Sequence, residues 1–163
     1  MKAISPLLGT LLAGAMLTFA PTPAPAAEAK QAVLKANDGF YAALNQMFTG
    51  DAAPMLAVWS HAADVTYLSP DGRYLTGWDA VKADWEMQAK LKLGGEIKPR
   101  DVRALVGREL AVVQNWEEGG NTNAGGRAVE VKIRATNVYR LEDGQWKMVS
   151  HHADPLPFLQ KDD

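Results

Sequence analysis

Two alternating stretches near the C-terminal end, Arg127 to Leu141 and Gln145 to Asp154, are joined across Glu142-Asp143-Gly144 and constrain this chain more than any other feature. In the first, Val129, Val131, Ile133, Ala135, Tyr139 and Leu141 alternate with Glu130, Lys132, Arg134, Thr136 and Arg140. That two-residue period predicts a strand with one buried face. Asn137 interrupts the apolar series. The same parity in the second strand predicts Trp146, Met148, Ser150 and His152 on one face and Lys147, Val149 and His151 on the other. An amide and an imidazole are therefore expected to point together into an apolar concavity.

The rest of the chain reads as helices followed by strands. Ala27 to Phe48 predicts a helix with Val33, Phe40, Leu44 and Met47 on one stripe and Lys30, Lys35, Asn37 and Gln46 elsewhere. Gly39 costs such a helix about 1 kcal/mol relative to alanine, which suggests that something close needs the space. Thr49-Gly50-Asp51 combines a glycine stop with an Asp cap ahead of a short helix carrying Pro54, Met55, Leu56 and Trp59. Short strands Val65 to Ser69 and Arg73 to Thr76 flank the turn Pro70-Asp71-Gly72. A third helix runs from Trp78 to about Lys92, with Val81, Trp85 and Ala89 on its stripe. Lys98 to Val106 and Leu110 to Trp116 read as further strands, and Gly119 to Gly126 as a long loop. The class is α+β: a long curved antiparallel sheet wrapped around the N-terminal helix, with three helices and a blind pocket at the open end.

Residues Met1 to Ala26 are of another kind. Lys2 precedes an apolar run from Ile4 to Ala20, and Ala24-Pro25-Ala26 supplies small residues for cleavage. This predicts a bacterial signal peptide, followed by one domain over residues 27–163 that is periplasmic or secreted. Asp and Glu outnumber Lys and Arg by 19 to 17, with no basic cluster. The balance argues against nucleic acid and, after cleavage, against an anionic membrane surface. Without cysteine there is no disulfide, thiolate nucleophile or thiolate ligand. No P-loop, dinucleotide fingerprint or nucleophile elbow appears, so no cofactor is expected. No metal site is expected either, because adjacent histidines on a strand project to opposite faces.

Several pieces in order resemble a known family. They are Phe40-Tyr41-Ala42-Ala43-Leu44-Asn45, the Gly50-Asp51 junction, Trp59 followed by Ala63-Asp64-Val65-Thr66, the turn Ser69-Pro70-Asp71-Gly72, Gly77, and Val138-Tyr139-Arg140-Leu141 with Gly144 and Trp146. Together they resemble the SnoaL-like branch of the nuclear transport factor 2-like superfamily, from about Lys30 to Pro157. The resemblance implies a cone-shaped α+β fold, commonly dimeric through the outer sheet face, with a pocket for a small, largely apolar molecule. The superfamily includes steroid delta-isomerases, polyketide cyclases, dehydratases and epoxide hydrolases, and a shared fold does not choose among them. The isomerases' general base, an aspartate before the turn proline, corresponds to Ser69, whose hydroxyl is no base near neutral pH without help. Their protonated aspartate corresponds to Asn137, which still offers oxyanion donors. Their oxyanion-hole tyrosine corresponds to Tyr41 or Phe40.

His152 is then the candidate acid or base, because it shares the inward parity and an imidazole titrates near neutrality. A core or rim histidine bonded to Asn137 or a carbonyl is the alternative. His151 is expected on the surface or a dimer face. Trp59, Trp85, Trp116, Tyr67 and Tyr139 are candidates for an aromatic pocket, though packing alone would also bury them. With Tyr41, Ser69, Asn137, Ser150 and His152 they make up the expected pocket. His61 and Asp64 suit the end of the second helix, and Asp71 suits turn chemistry. Three functional readings follow: a pocket protein for a small hydrophobic or aromatic molecule; an isomerase, dehydratase or cyclase with His152 as acid–base and Asn137 plus Tyr41 polarising a carbonyl; and a homodimeric interaction module using Lys132, Arg134 and Arg140.

Overall fold

A computed structural model describes residues 25–122 and 125–154. The expected signal peptide lies outside the described residues except for Pro25 and Ala26. Three helices, α1 (Pro25–Met47), α2 (Ala53–Val58) and α3 (Trp78–Lys90), accompany six strands. The strands are β1 (Thr66–Leu68), β2 (Tyr74–Thr76), β3 (Glu96–Val106), β4 (Leu110–Thr122), β5 (Ala128–Glu142) and β6 (Gln145–Asp154). Among the described residues no helix is long and apolar enough to cross a membrane.

The strands form one curved sheet in the order β2-β1-β6-β5-β4-β3. Strands β3 to β6 are an antiparallel meander, whereas β1 lies parallel to β6, with Tyr67 opposite His151. The sheet is therefore mixed rather than wholly antiparallel. Alternation fixes the face a side chain takes but not the strand beside it, so this pairing is invisible in the pattern.

Helix α1 lies across the concave face and buries Val33, Phe40, Leu44 and Met47 as expected. Asn37, expected off that stripe, sits on it and is fully buried, four residues after Val33 and three before Phe40. Gly39 differs from expectation too: an added Cβ would meet nothing within 4 Å, so no neighbour requires the glycine. Helix α3 adds Val81, Trp85 and Ala89 to a core that also holds Met55, Trp59, Val65, Val113 and Met148. Trp85 stacks on Tyr67 at 4.5 Å between ring centroids and meets Trp59 at 6.1 Å. Burying each such side chain contributes about 1.5–3 kcal/mol.

Strand β4 runs into the glycine-rich segment that reads as a loop. Gly119 and Gly120 pair with Val131 and Glu130 on one side and with Ile97 and Glu96 on the other. Glycine permits this because the backbones are so close that a Cβ on Gly119 would overlap the Glu96 carbonyl oxygen. A second irregularity matters more. Between β5 and β6 the register passes from Val138 opposite Ser150 to Tyr139 opposite Met148, leaving Val149 without a partner. Met148 and Val149 are both buried. One bulged residue inverts the parity of everything after it. His151 and Ala153 consequently face inward, while His152 and Asp154 face outward and are exposed.

Candidate functional site

The concave face, α1 and α3 line a partly open cavity of about 460 Å³, with Glu130 and Lys132 at its rim. Its walls are Leu44 and Phe48 at the end of α1, Trp85 and Gln88 from α3, Tyr67 from β1, Ile97 from β3, and Val131 and Ile133 from β5. Glu117 from β4 and His151 from β6 also line it, and both are almost fully buried. Glu117 arrives there by alternation, since Ala111, Val113, Asn115 and Glu117 occupy the inward positions of β4.

Behind these two groups lies a buried polar network. The Tyr41 hydroxyl donates to Glu117 Oε1 at 3.0 Å, and Asn115 Nδ2 donates to the Tyr41 oxygen at 2.8 Å. Asn137 Nδ2 donates to Asn37 Oδ1 at 2.8 Å, which also accepts the Tyr139 hydroxyl at 3.1 Å. His151 Nδ1 lies 2.6 Å from Asn137 Oδ1, and its Nε2 lies 3.7 Å from Glu117 Oε1. Two turns of α1 supply Asn37 and Tyr41, β4 supplies Asn115 and Glu117, β5 supplies Asn137 and Tyr139, and β6 supplies His151, so the folded sheet assembles the cluster.

Burial sets the charge state. It pushes the Glu117 carboxyl up to about 7, against a smaller opposing effect of the Tyr41 hydrogen bond. It pushes His151 down to about 3, with the neighbouring His152 acting in the same direction. His151 is therefore neutral near pH 7, and its approach to Glu117 is not an ion pair at that pH. Burial likewise raises the Tyr41, Tyr67 and Tyr139 hydroxyls, keeping them protonated donors. The site presents a carboxyl that changes charge near neutrality beside an imidazole that does not.

The expected site residues divide among several places. Tyr67 and Trp85 line the cavity. Tyr41, Asn137 and Tyr139 stand in the network behind it, while Trp59 is packed in the core. Ser69 lies at the adjoining turn, bonded to Asp71, whose carboxylate also pairs with Arg73. Arg73 continues to Asp84, and Gln88 joins Asp84 to the Tyr67 hydroxyl. Ser150 is half-buried and accepts the Thr66 hydroxyl at 2.8 Å. Trp116 and His152 are on the outer face, in a separate concavity with Arg103, Gln114 and Arg134. The inward placement of His152 is thus corrected to His151, and the Val149 bulge is the reason.

Beyond the cavity, His61 Nε2 meets the Leu56 carbonyl in α2 and its ring stacks on Trp78, in keeping with a place at that helix end. Asp64 pairs with Arg140, which also bonds Glu142 and Ser60, so Arg140 is engaged within the chain. Among the described residues no group of three or more His, Asp or Glu converges as a metal site. Glu117, Asn115 and Asn37 are the members that sequence reasoning missed. Spacing places Asn37 on the α1 stripe, whereas β4 carries apolar residues on both faces and its parity does not single out Glu117.

A curved sheet closed by a helix around a polar-ended cavity is the architecture of the nuclear transport factor 2-like superfamily. The SnoaL-like domain family matches residues 33–156, and the chain belongs to that family. Among solved structures, a nuclear transport factor 2-like superfamily protein from Salmonella enterica aligns with a TM-score of 0.71 at 12% identity, covering 85% of this chain and 99% of that one. A candidate dehydratase of the same superfamily from Streptomyces avermitilis gives 0.70 at 24% identity, covering 80% and 98%. A candidate calcium/calmodulin-dependent protein kinase II association domain from Thiobacillus denitrificans gives 0.60 at 31% identity, covering 74% and 92%. No curated protein matches the chain by sequence.

Proposed function

We propose that this protein binds a small, mainly apolar or aromatic molecule in the cavity and that Glu117 and His151 move a proton on it, as an isomerase, dehydratase or cyclase does. One observation carries the reading: a carboxyl held to about 7 and a neutral imidazole meet at the buried end of an apolar cavity. A carboxyl that keeps its proton to near neutral pH can donate it, and a neutral imidazole beside it can accept one. Tyr41 and Asn137 contribute from behind, by holding these two groups, rather than by touching a carbonyl themselves. The fold shared with a candidate dehydratase is consistent with this class of chemistry.

The same proposal places the mature chain outside the cytoplasm and pairs two copies through the outer sheet face. Support for pairing comes from Leu105 and Leu110, which are exposed large apolar residues, and from the outer concavity where Trp116 lies among Arg103, Arg134 and Asp154.

The test is a thermal-shift and native mass-spectrometry screen over steroid-like, aromatic and polyketide-like compounds, followed by turnover assays on any compound bound. Binding that survives Glu117→Gln while turnover is lost supports the proposal. A screen without hits, or hits unaffected by filling the cavity with Ile133→Trp, overturns it.

A further inference from the structure

We infer that Asn37, in the middle of α1, is a positioning residue that fixes His151 as a proton acceptor toward the cavity. The inference deepens the proposed function, since it concerns which role His151 has in the pair. Asn37 itself does not touch the imidazole; it acts through Asn137.

The chain of reasoning follows hydrogen-bond valence. Asn37 Oδ1 takes two donors, Asn137 Nδ2 and the Tyr139 hydroxyl. Turning the Asn37 amide over alone would set its NH2 against the NH2 of Asn137, and turning both over would set the Asn137 oxygen 3.5 Å from the Tyr41 oxygen, whose proton is donated to Glu117, so the Asn37 oxygen is held facing its two donors. Asn137 is oriented in turn. With its NH2 directed to Asn37, its oxygen is the atom that faces His151 Nδ1 at 2.6 Å. An amide oxygen only accepts, so the imidazole proton resides on Nδ1. A neutral imidazole has one such proton, which leaves Nε2 with a bare lone pair, 3.7 Å from Glu117 Oε1.

Reversing the Asn137 amide would reverse the chemistry. Its NH2 would then face Nδ1, the proton would move to Nε2, and His151 would present a donor to the cavity instead of an acceptor. Packing does not account for Asn37, because leucine would suit that position on an otherwise apolar stripe. Only the acceptor half of its amide is used by the protein: Asn37 Nδ2 is buried without a partner among the described residues. A buried donor left unpaired is costly, which sets the value of that acceptor against packing.

The experiment reads the tautomer directly. In two-bond 1H–15N correlation spectra of the 15N-labelled protein at neutral pH, His151 is expected to show a protonated Nδ1 and an unprotonated Nε2. Asn37→Leu removes the acceptor that orients Asn137, so the Nδ1-protonated signature is expected to be lost in favour of the Nε2-protonated one. Asn37→Asp restores an acceptor at the same place and is expected to restore the first signature. Asn37→Ala takes the place of Asn37→Leu if the leucine variant does not fold. An Nε2-protonated His151 in the unmodified protein, or an unchanged signature in the folded leucine or alanine variant, overturns the inference. These spectra need no bound molecule. A failed ligand screen therefore overturns the function without touching the relay, and a wrong tautomer overturns the relay without touching ligand binding.

Discussion

Asn137 and His151 are cross-strand partners on the concave face, with the amide oxygen 2.6 Å from the imidazole Nδ1. Their meeting depends on Val149. As the extra residue of β6 it shifts the parity by one, exchanging the faces that strict alternation assigns to His151 and His152. The result is a fully desolvated imidazole linked through Asn137 to α1, and a second imidazole, half exposed, on the opposite face.

The opposed protonation behaviour of Glu117 and His151 predicts an unusual dependence of stability on pH. Glu117 is raised from 4.5 to about 7 in the folded state, so over that window the unfolded chain binds fewer protons and stability falls as pH rises. His151 is lowered from 6.5 to about 3, so over that window the unfolded chain binds more protons and stability falls as pH falls. Across the full windows the contributions are on the order of 3 kcal/mol for Glu117 and about 5 kcal/mol for His151. Between pH 4.5 and 6.5 the two slopes oppose one another and the pair contributes a plateau. In Glu117→Gln the His151 slope stands alone, so urea-unfolding free energy is expected to climb from about pH 4.5 to 6.5, where the parent is flatter. Parallel profiles for parent and variant would refute the assignment.

What the sequence made legible follows from regular spacing. The alternation in β5 correctly marks Ala135, Asn137 and Tyr139 as inward, and the three- and four-residue steps in α1 mark Phe40, Leu44 and Met47. The same steps, followed through, also mark Asn37. Strand β4 is ambiguous for a physical reason: Ala111 and Val113 alternate with Leu110, Val112 and Trp116, so both faces look apolar and parity alone cannot say that Glu117 is the inner one. The bulge at Val149 is harder still. No glycine or proline marks it in Lys147-Met148-Val149-Ser150, and it shows only in the pairing of β6 with β5. Regular periods reveal faces, while a single irregularity decides which histidine is inside.

Gly39 offers a stabilising substitution. It lies within α1 with a φ that is not positive, and an added Cβ meets nothing within 4 Å. Alanine would reduce the freedom of the unfolded chain and favour the helix by about 0.5–1 kcal/mol. Gly39→Ala is expected to raise Tm by roughly 2–5 °C in a thermal melt. An unchanged or lowered Tm would show that the glycine has a role in helix α1 that its surroundings do not reveal.

Gly119 and Gly126 separate two uses of glycine. Both have positive φ, 152° and 77°. At Gly119 a Cβ would run into the Glu96 carbonyl in the neighbouring strand, while at Gly126 it would meet nothing. Gly119→Ala must therefore displace backbone and is expected to cost more than about 2 kcal/mol in chemical denaturation. Gly126→Ala carries only the local conformational penalty, about 1 kcal/mol. Equal losses at the two positions would contradict the close approach of β3 and β4.

His151 and His152 provide the comparison on which the proposed chemistry turns. The His152 side chain is 47% exposed, and Asp154 lies 3.7 Å from it on the outer face. His152→Ala is expected to change stability by less than about 0.5 kcal/mol and to leave binding and turnover of any cavity ligand unaltered. His151 touches Asn137, stacks near Tyr67 at 5.6 Å and lies against Phe40 at 4.9 Å. His151→Gln retains a polar partner for Asn137 but has no imidazole lone pair to take a proton, so turnover is expected to fall by about 100-fold or more while binding changes little. Steady-state rates and ligand affinities measured side by side on the two variants make the test. Loss of turnover in His152→Ala with normal turnover in His151→Gln would move the acid–base role to the outer face and leave the cavity without one.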